Sequence, residues 1–119
     1  MGLDQYAYAL RPDGEQLEIA VWRKHPNLHG WMERLWIKKG RPVPEDSEAT
    51  DEFNCIPLEL EQGDIIGFSL DLELGALPHT SGFFFGESRP EDMETDQLFV
   101  KRALGNFELG NKVFYDSWW

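Results

Sequence analysis

The sequence lacks most of the features by which a protein's compartment is usually recognised. Its 119 residues include one cysteine, Cys55, which excludes an intrachain disulfide and a zinc site made of several cysteines. A single unpaired cysteine favours a reducing compartment. No apolar run approaches the roughly 18 residues of a membrane span. The first ten residues lack the basic and apolar regions of a signal peptide. We therefore expect no membrane partner and no secretion.

Motifs for catalysis and cofactor binding are also missing. There is no Gly-x-x-x-x-Gly-Lys loop for nucleotide phosphates and no Gly-x-Ser-x-Gly element for a serine nucleophile. His25 and His29 have a spacing that can bring two imidazoles to one helical face, but a zinc site needs a third ligand and His79 is distant. For acid–base chemistry the candidates are Asp4, Asp116, His29 and His79, and nothing in their spacing shows that they meet. We predict no catalytic residue, no metal and no cofactor, and favour a protein without enzymatic activity.

Basic residues are scarce and unevenly placed. The chain has 22 acidic and 11 basic residues, a net charge of −11. Residues 23–41 hold six basic residues and one acidic residue, a net charge of +5, so the remainder carries −16. The field of so acidic a protein repels phosphate, and we expect no binding to duplex nucleic acid. A basic helix on an acidic body can bind an anion or an acidic partner, while the simpler interpretation is that these charges maintain solubility.

Alternating hydrophobicity predicts a β-hairpin at the start of the chain and a strand at its end. The hairpin strands are 3–10 and 16–23, joined by the turn Arg-Pro-Asp-Gly at 11–14. In the first strand Tyr6, Tyr8 and Leu10 share one face. Residues 55–60 form a short strand candidate, and 111–118 form the last strand.

Helical spacing predicts one helix from Pro26 to about Lys38, with Leu28, Trp31 or Met32, and Leu35 in one stripe. A second helix begins with Ser88 as its cap and continues to about residue 105. The acidic stretch 41–54, which contains two prolines, is predicted to be a flexible surface loop. Residues 82–86, Gly-Phe-Phe-Phe-Gly, suggest a short buried extended segment.

The segment 61–74 fits two interpretations. Alternation of apolar residues favours a strand, whereas Ile65, Phe68 and Leu72 also fit a helical stripe, which Gly63 and Gly67 weaken by up to about 1 kcal/mol each. Taken together, the elements predict an α+β fold for a single domain spanning 1–119. We expect an antiparallel or mixed sheet of about four strands with about three helices packed on it.

Specific motifs are distributed along nearly the whole chain. They are MGLDQY at 1–6, WRKHPNL at 22–28 with GWME at 30–33, FNC at 53–55, LP at 77–78 with GFFFG at 82–86, and YDSWW at 115–119. These motifs resemble small proteins of tailed phages, notably marine cyanophages. The resemblance implies a phage origin, the host cytoplasm as location, and a helix over 61–74. Some members carry the label phosphoglycerate kinase, an enzyme several times longer, whose nucleotide-binding pattern this chain lacks.

Two candidate surfaces follow from these residues. The first is an anion site at the start of the first helix, where free N–H groups and the helix dipole favour negative charge; its members are Arg23, Lys24, His25, Asn27 and His29. The second is a partner or homodimer interface, for which tryptophan is a favoured anchor; its candidates are Trp22, Trp31, Trp36, Trp118 and Trp119. We expect a phage accessory protein that binds a host protein. The alternative is a protein or enzyme that binds a phosphate-like or nucleotide-like ligand at the first surface.

Overall fold

The computed structural model describes residues 2–80 and 86–119, and in them it shows an α+β fold. Its elements are, in chain order, β1 (Asp4–Leu10), β2 (Gln16–Arg23), α1 (Pro26–Lys38), β3 (Leu58–Leu60), α2 (Gln62–Glu73), α3 (Asp92–Glu108) and β4 (Lys112–Trp118). The strands form one antiparallel sheet in the order β2-β1-β4-β3. The predicted fold class is therefore confirmed.

The helices pack on one face of this sheet, which we call the inner face. Buried residues of all three helices join the inward residues of the strands in a single apolar cluster, and three of the helical members are Met32, Phe68 and Phe99. Two inward residues of β1, Ala7 and Ala9, are small and fully buried, so helices can approach the sheet closely there. The opposite, outer face carries Tyr6, Tyr8 and Leu10, as their alternation predicted.

A β-bulge in β2 changes the pattern that its sequence suggests. Ala7 pairs with Ala20 while Tyr8 pairs with Glu18, so Ile19 is an extra residue with no partner on β1. As a result Ile19 and Ala20 are both buried although they are adjacent. The strict alternation read from the sequence therefore fails at this point.

The helix over 61–74 is confirmed as α2 despite its glycines. The Asp64 carboxylate accepts the Glu61 backbone N–H at 2.8 Å, which satisfies a donor at the helix start. Lys39 Nζ donates to the same carboxylate at 2.7 Å and so fastens α2 to the end of α1. Ile65, Phe68 and Leu72 are the buried stripe. Capping and burial together outweigh the cost of two glycines.

Three boundaries differ from those predicted. The strand expected at 55–60 is shortened to β3, because Cys55 adopts a left-handed backbone with φ of 58°. Helix α3 begins at Asp92 and ends at Glu108, and Ser88 caps α1 instead. The stretch 41–54 contains neither helix nor strand, and its flexibility stays a prediction. The extended segment predicted at 82–86 lies, apart from Gly86, outside the described residues. Among the helices described, none is long and apolar enough to cross a membrane.

Two glycines inside helices make a matched test of packing. A Cβ on the buried Gly30 would lie 1.9 Å from Thr80 Oγ1, whereas a Cβ on Gly67 would meet nothing within 4 Å. We expect Gly30→Ala to lower the free energy of unfolding by about 1–3 kcal/mol because Thr80 must move. Gly67→Ala should raise it by up to about 1 kcal/mol through helix propensity. Urea unfolding of both variants measures whether the two changes in the free energy of unfolding have opposite signs. Equal changes would contradict the close packing of Gly30 against Thr80.

Candidate functional site

The start of α1 uses its hydrogen-bond donors within the protein. The His25 backbone N–H donates to Gln5 Oε1 at 2.9 Å, and the His25 carbonyl accepts from Gln5 Nε2 at 3.0 Å. The Asn27 backbone N–H donates to Ser88 Oγ at 3.1 Å, and Asn27 Oδ1 accepts the Thr80 N–H at 3.0 Å. Gln5 and Ser88 therefore occupy two backbone N–H groups in the region that was predicted to hold an anion.

The five residues of the predicted anion site do not converge. Arg23 is exposed on the outer face, 3.7 Å from Asp4, while His25 and His29 are buried on the inner side. Lys24 is exposed and has a left-handed backbone, with φ of 58°. The alternative, a small-molecule pocket, depends on the Arg23 and His29 side chains lying beside Tyr6 or Asp116. The sheet separates His29 from all three, so the structure does not assemble that pocket.

His25 is instead the centre of a buried polar relay that the sequence did not reveal. Its Nδ1 lies 2.7 Å from Ser88 Oγ and its Nε2 lies 2.9 Å from Asp96 Oδ2. The other oxygen of Asp96 accepts the Trp22 Nε1–H at 2.9 Å. Asp92 Oδ2 is 3.7 Å from His25 Nδ1. We call Ser88, His25 and Asp96 the relay.

The relay could not be predicted from the sequence, because Ser88 and Asp96 lie 63 and 71 residues from His25 along the chain. One feature of the sequence did point to the relay. Asp92 and Asp96 fall on the same stripe of α3 as Phe99 and Ala103, and all four are buried. Ionised carboxylates on an apolar stripe need partners. Their position could therefore have indicated a polar centre beneath α3.

A second buried centre surrounds His29. Its Nδ1 lies 2.9 Å from the Tyr115 hydroxyl, which also accepts from Gln5 Nε2 at 3.1 Å. The His29 ring stacks on Phe53 with ring centroids 5.2 Å apart. Burial lowers the pKa of His29 to about 4, and a hydrogen bond with the Phe53 backbone opposes part of this lowering. Burial also raises the pKa of Tyr115. His29 is therefore a neutral structural side chain at pH 7.

Of the five tryptophans predicted as interface anchors, Trp118 is the one that projects into solvent, with 63% of its surface exposed. Trp22 and Trp36 are buried in the core. Trp31 is half-buried and donates its Nε1–H to Asp71 at 2.8 Å. Trp119 is also half-buried and donates its Nε1–H to the Phe53 carbonyl at 2.9 Å. The structure thus leaves Trp118, on the outer face, as the accessible candidate.

The outer face of the sheet is an open aromatic surface in the described part of the chain. The rings of Tyr8 and Phe114 stack across β1 and β4, with centroids 5.3 Å apart and planes 14° apart. Tyr6 is paired with Val21 on one side and Asp116 on the other. Burial raises the pKa of Tyr8, and Asp116 raises it further. The stacked Tyr8 and Phe114 are half-buried.

Among the hollows on this outer face, two lie beside Tyr6, Tyr8 and Trp118. One, of about 230 Å³, is lined by Gly2, Asp4, Arg23, Trp118 and Trp119. The other, of about 320 Å³, is lined by Tyr6, Ala7, Tyr8, Gln16, Glu18 and Asp116. Both combine aromatic walls with carboxylates, and the first also has one guanidinium. Such hollows suit apolar and basic side chains of a partner better than an anion.

No group of three or more His, Cys, Asp or Glu side chains within 2–80 and 86–119 is arranged to hold a metal ion. Comparison of the chain with known proteins gives no further assignment: no family model, no curated protein and no solved structure matches it.

Proposed function

We propose that this chain is a phage accessory protein that binds a host protein in the host cytoplasm through its outer sheet face. The observation that carries the proposal is the aromatic surface on the side of the sheet opposite the helices, in which Tyr6 and Trp118 are exposed and the stacked Tyr8 and Phe114 are half-buried. The phage origin is supported by the sequence motifs alone. Aromatic residues are the most frequent anchors of protein interfaces, because they bury a large area at low entropic cost.

The charge of the outer face indicates which kind of partner would bind there. The outer face carries the acids Asp4, Glu18 and Asp116 between its aromatic rings, and the whole chain has a net charge of −11. Two copies meeting face to face would bring these carboxylates together, which opposes a homodimer through this surface. A partner with lysine or arginine beside apolar side chains would complement it. The proposed partner surface is therefore basic and partly apolar.

The experiment is capture of a host protein on the immobilised chain, followed by calorimetry with the captured protein in purified form. We expect the double variant Tyr6→Ala, Trp118→Ala to weaken binding by about 30-fold or more, since it removes two central anchors. We also expect weaker binding at higher salt, because the partner is basic.

The matched control removes exposed apolar side chains elsewhere. Leu74 and Leu109 are 78% and 75% exposed and follow the ends of α2 and α3, on the helical side of the protein. The variant Leu74→Ala, Leu109→Ala should bind like the wild type. Binding that survives the aromatic variant, or that is lost in this control, would refute the outer face as the interface.

A further inference from the structure

The relay has the connectivity of a nucleophile, a base and a carboxylate. Ser88 Oγ is 2.7 Å from one ring nitrogen of His25, and Asp96 is 2.9 Å from the other. His25 is 3% exposed and Asp96 is 1% exposed, whereas Ser88 is only half-buried. The base and its carboxylate are thus shielded from water, while the serine lies nearer the surface. This arrangement is recognised by geometry and roles rather than by chain order.

The hydrogen-bond partners fix where the protons lie. An ionised Asp96 can only accept, so His25 Nε2 carries a proton and donates it. In the neutral ring Nδ1 is then an acceptor, and the nearby Ser88 hydroxyl donates to it. Ser88 Oγ in turn accepts the Asn27 N–H at the start of α1. The positive end of that 13-residue helix favours negative charge on this oxygen.

We propose that Ser88 is an activated nucleophile that accepts acyl groups from small uncharged esters. Ser88 Oγ attacks the ester carbonyl carbon and its proton passes to His25 Nδ1. The carbon–oxygen bond to the leaving alcohol breaks, and the alcohol takes that proton from His25. Water then hydrolyses the acyl-serine by the same proton transfers in reverse. Asp96 is a positioning residue that holds the ring and stabilises the transient imidazolium, with Asp92 3.7 Å away.

The substrate class follows from the charges around the hydroxyl. The Lys24 side chain lies against Gly86, where an added Cβ would be 3.2 Å from Lys24 Cδ. Arg89, next to Ser88 in sequence, has a side chain that is 59% exposed and lies 3.9 Å from the Asp92 carboxylate. Glu87, on the other side of Ser88, is exposed as well, so charges of both signs flank the hydroxyl and favour an uncharged ester over an anionic one. The activity is separate from binding at the outer face, since His25 lies on the inner side of the sheet.

The test is covalent labelling with a fluorophosphonate, which reacts with activated serine hydroxyls and releases fluoride. Intact mass and peptide mapping measure the rate at each serine. In the wild-type protein we expect Ser88 to be labelled about 100-fold or more faster than the exposed Ser47, which has no such base beside it. The adduct should be absent from Ser88→Ala. Labelling of Ser88 no faster than Ser47 would overturn the proposal, and this comparison needs no variant.

Asp96→Asn tests the role of the carboxylate. The Trp22 N–H requires an acceptor, so the amide oxygen of the new side chain must face Trp22 and its NH₂ must face His25 Nε2. The ring would then carry its proton on Nδ1 and could not accept one from Ser88. We expect labelling about 100-fold slower in a variant that keeps the wild-type circular dichroism spectrum, with a pH profile that differs from that of the wild type. An unchanged rate and profile would refute the relay.

Discussion

Replacing Trp36 with alanine is expected to lower the free energy of unfolding by about 3–5 kcal/mol. Trp36 is completely buried and stacks on Phe53, with ring centroids 5.1 Å apart. Its Nε1–H donates to the Pro42 carbonyl at 2.9 Å. Removing the indole leaves a cavity beneath α1 and takes the donor away from Pro42. The total free energy of unfolding of a small domain is about 5–15 kcal/mol, so urea unfolding should detect a loss of this size easily.

The matched control is Trp118→Ala, which removes the same side chain from a site that is 63% exposed. It should change the free energy of unfolding by no more than about 0.5 kcal/mol. Trp36→Phe should fall between the two, because it keeps a ring against Phe53 and loses only the N–H and part of the volume. Equal destabilisation by the two alanine variants would contradict the different placement of these tryptophans.

Most of the fold could be predicted because its signals are local. The turn before β2, the proline that opens α1 and the alternation in β4 each act within a few residues, and each element formed where expected. The bulge at Ile19 was not predictable, since it depends on how β1 and β2 pair. Helix α2 was ambiguous from its glycines, and what decides it is the Asp64 carboxylate together with Lys39 from another element.

The candidate sites were much less predictable than the fold. A basic cluster before a helix normally indicates free N–H groups, but here Ser88, from a segment about 60 residues later, occupies one of them. Likewise nothing in the sequence states that Gln5 and Thr80 bind the backbone of His25 and the side chain of Asn27. Such partners arise only when the sheet and helices assemble. The exposed aromatic face could be foreseen only in part, from the shared face of Tyr6 and Tyr8.

Acidification is expected to destabilise the protein through His29. Because burial lowers its folded pKa to about 4, from an ordinary value of 6.5, the unfolded chain binds a proton first as the pH falls. The stability that the neutral ring contributes is therefore complete above pH 6.5 and is lost as the pH falls from 6.5 to 4. The loss is about 2 kcal/mol between pH 7 and pH 5, and about 3 kcal/mol by pH 4. Urea unfolding at pH 7 and pH 5 measures it before most carboxylates titrate.

Two histidine variants isolate this effect. In His29→Gln the ionisable ring is gone, while an amide oxygen can still accept from the Tyr115 hydroxyl. We expect this variant to be less stable than the wild type at pH 7, but to lose about 2 kcal/mol less between pH 7 and pH 5. His79→Gln changes an exposed histidine and should keep the full wild-type loss. If His29→Gln showed the same loss as the wild type, another group would be responsible, and the buried neutral state of His29 between Tyr115 and Phe53 would be refuted.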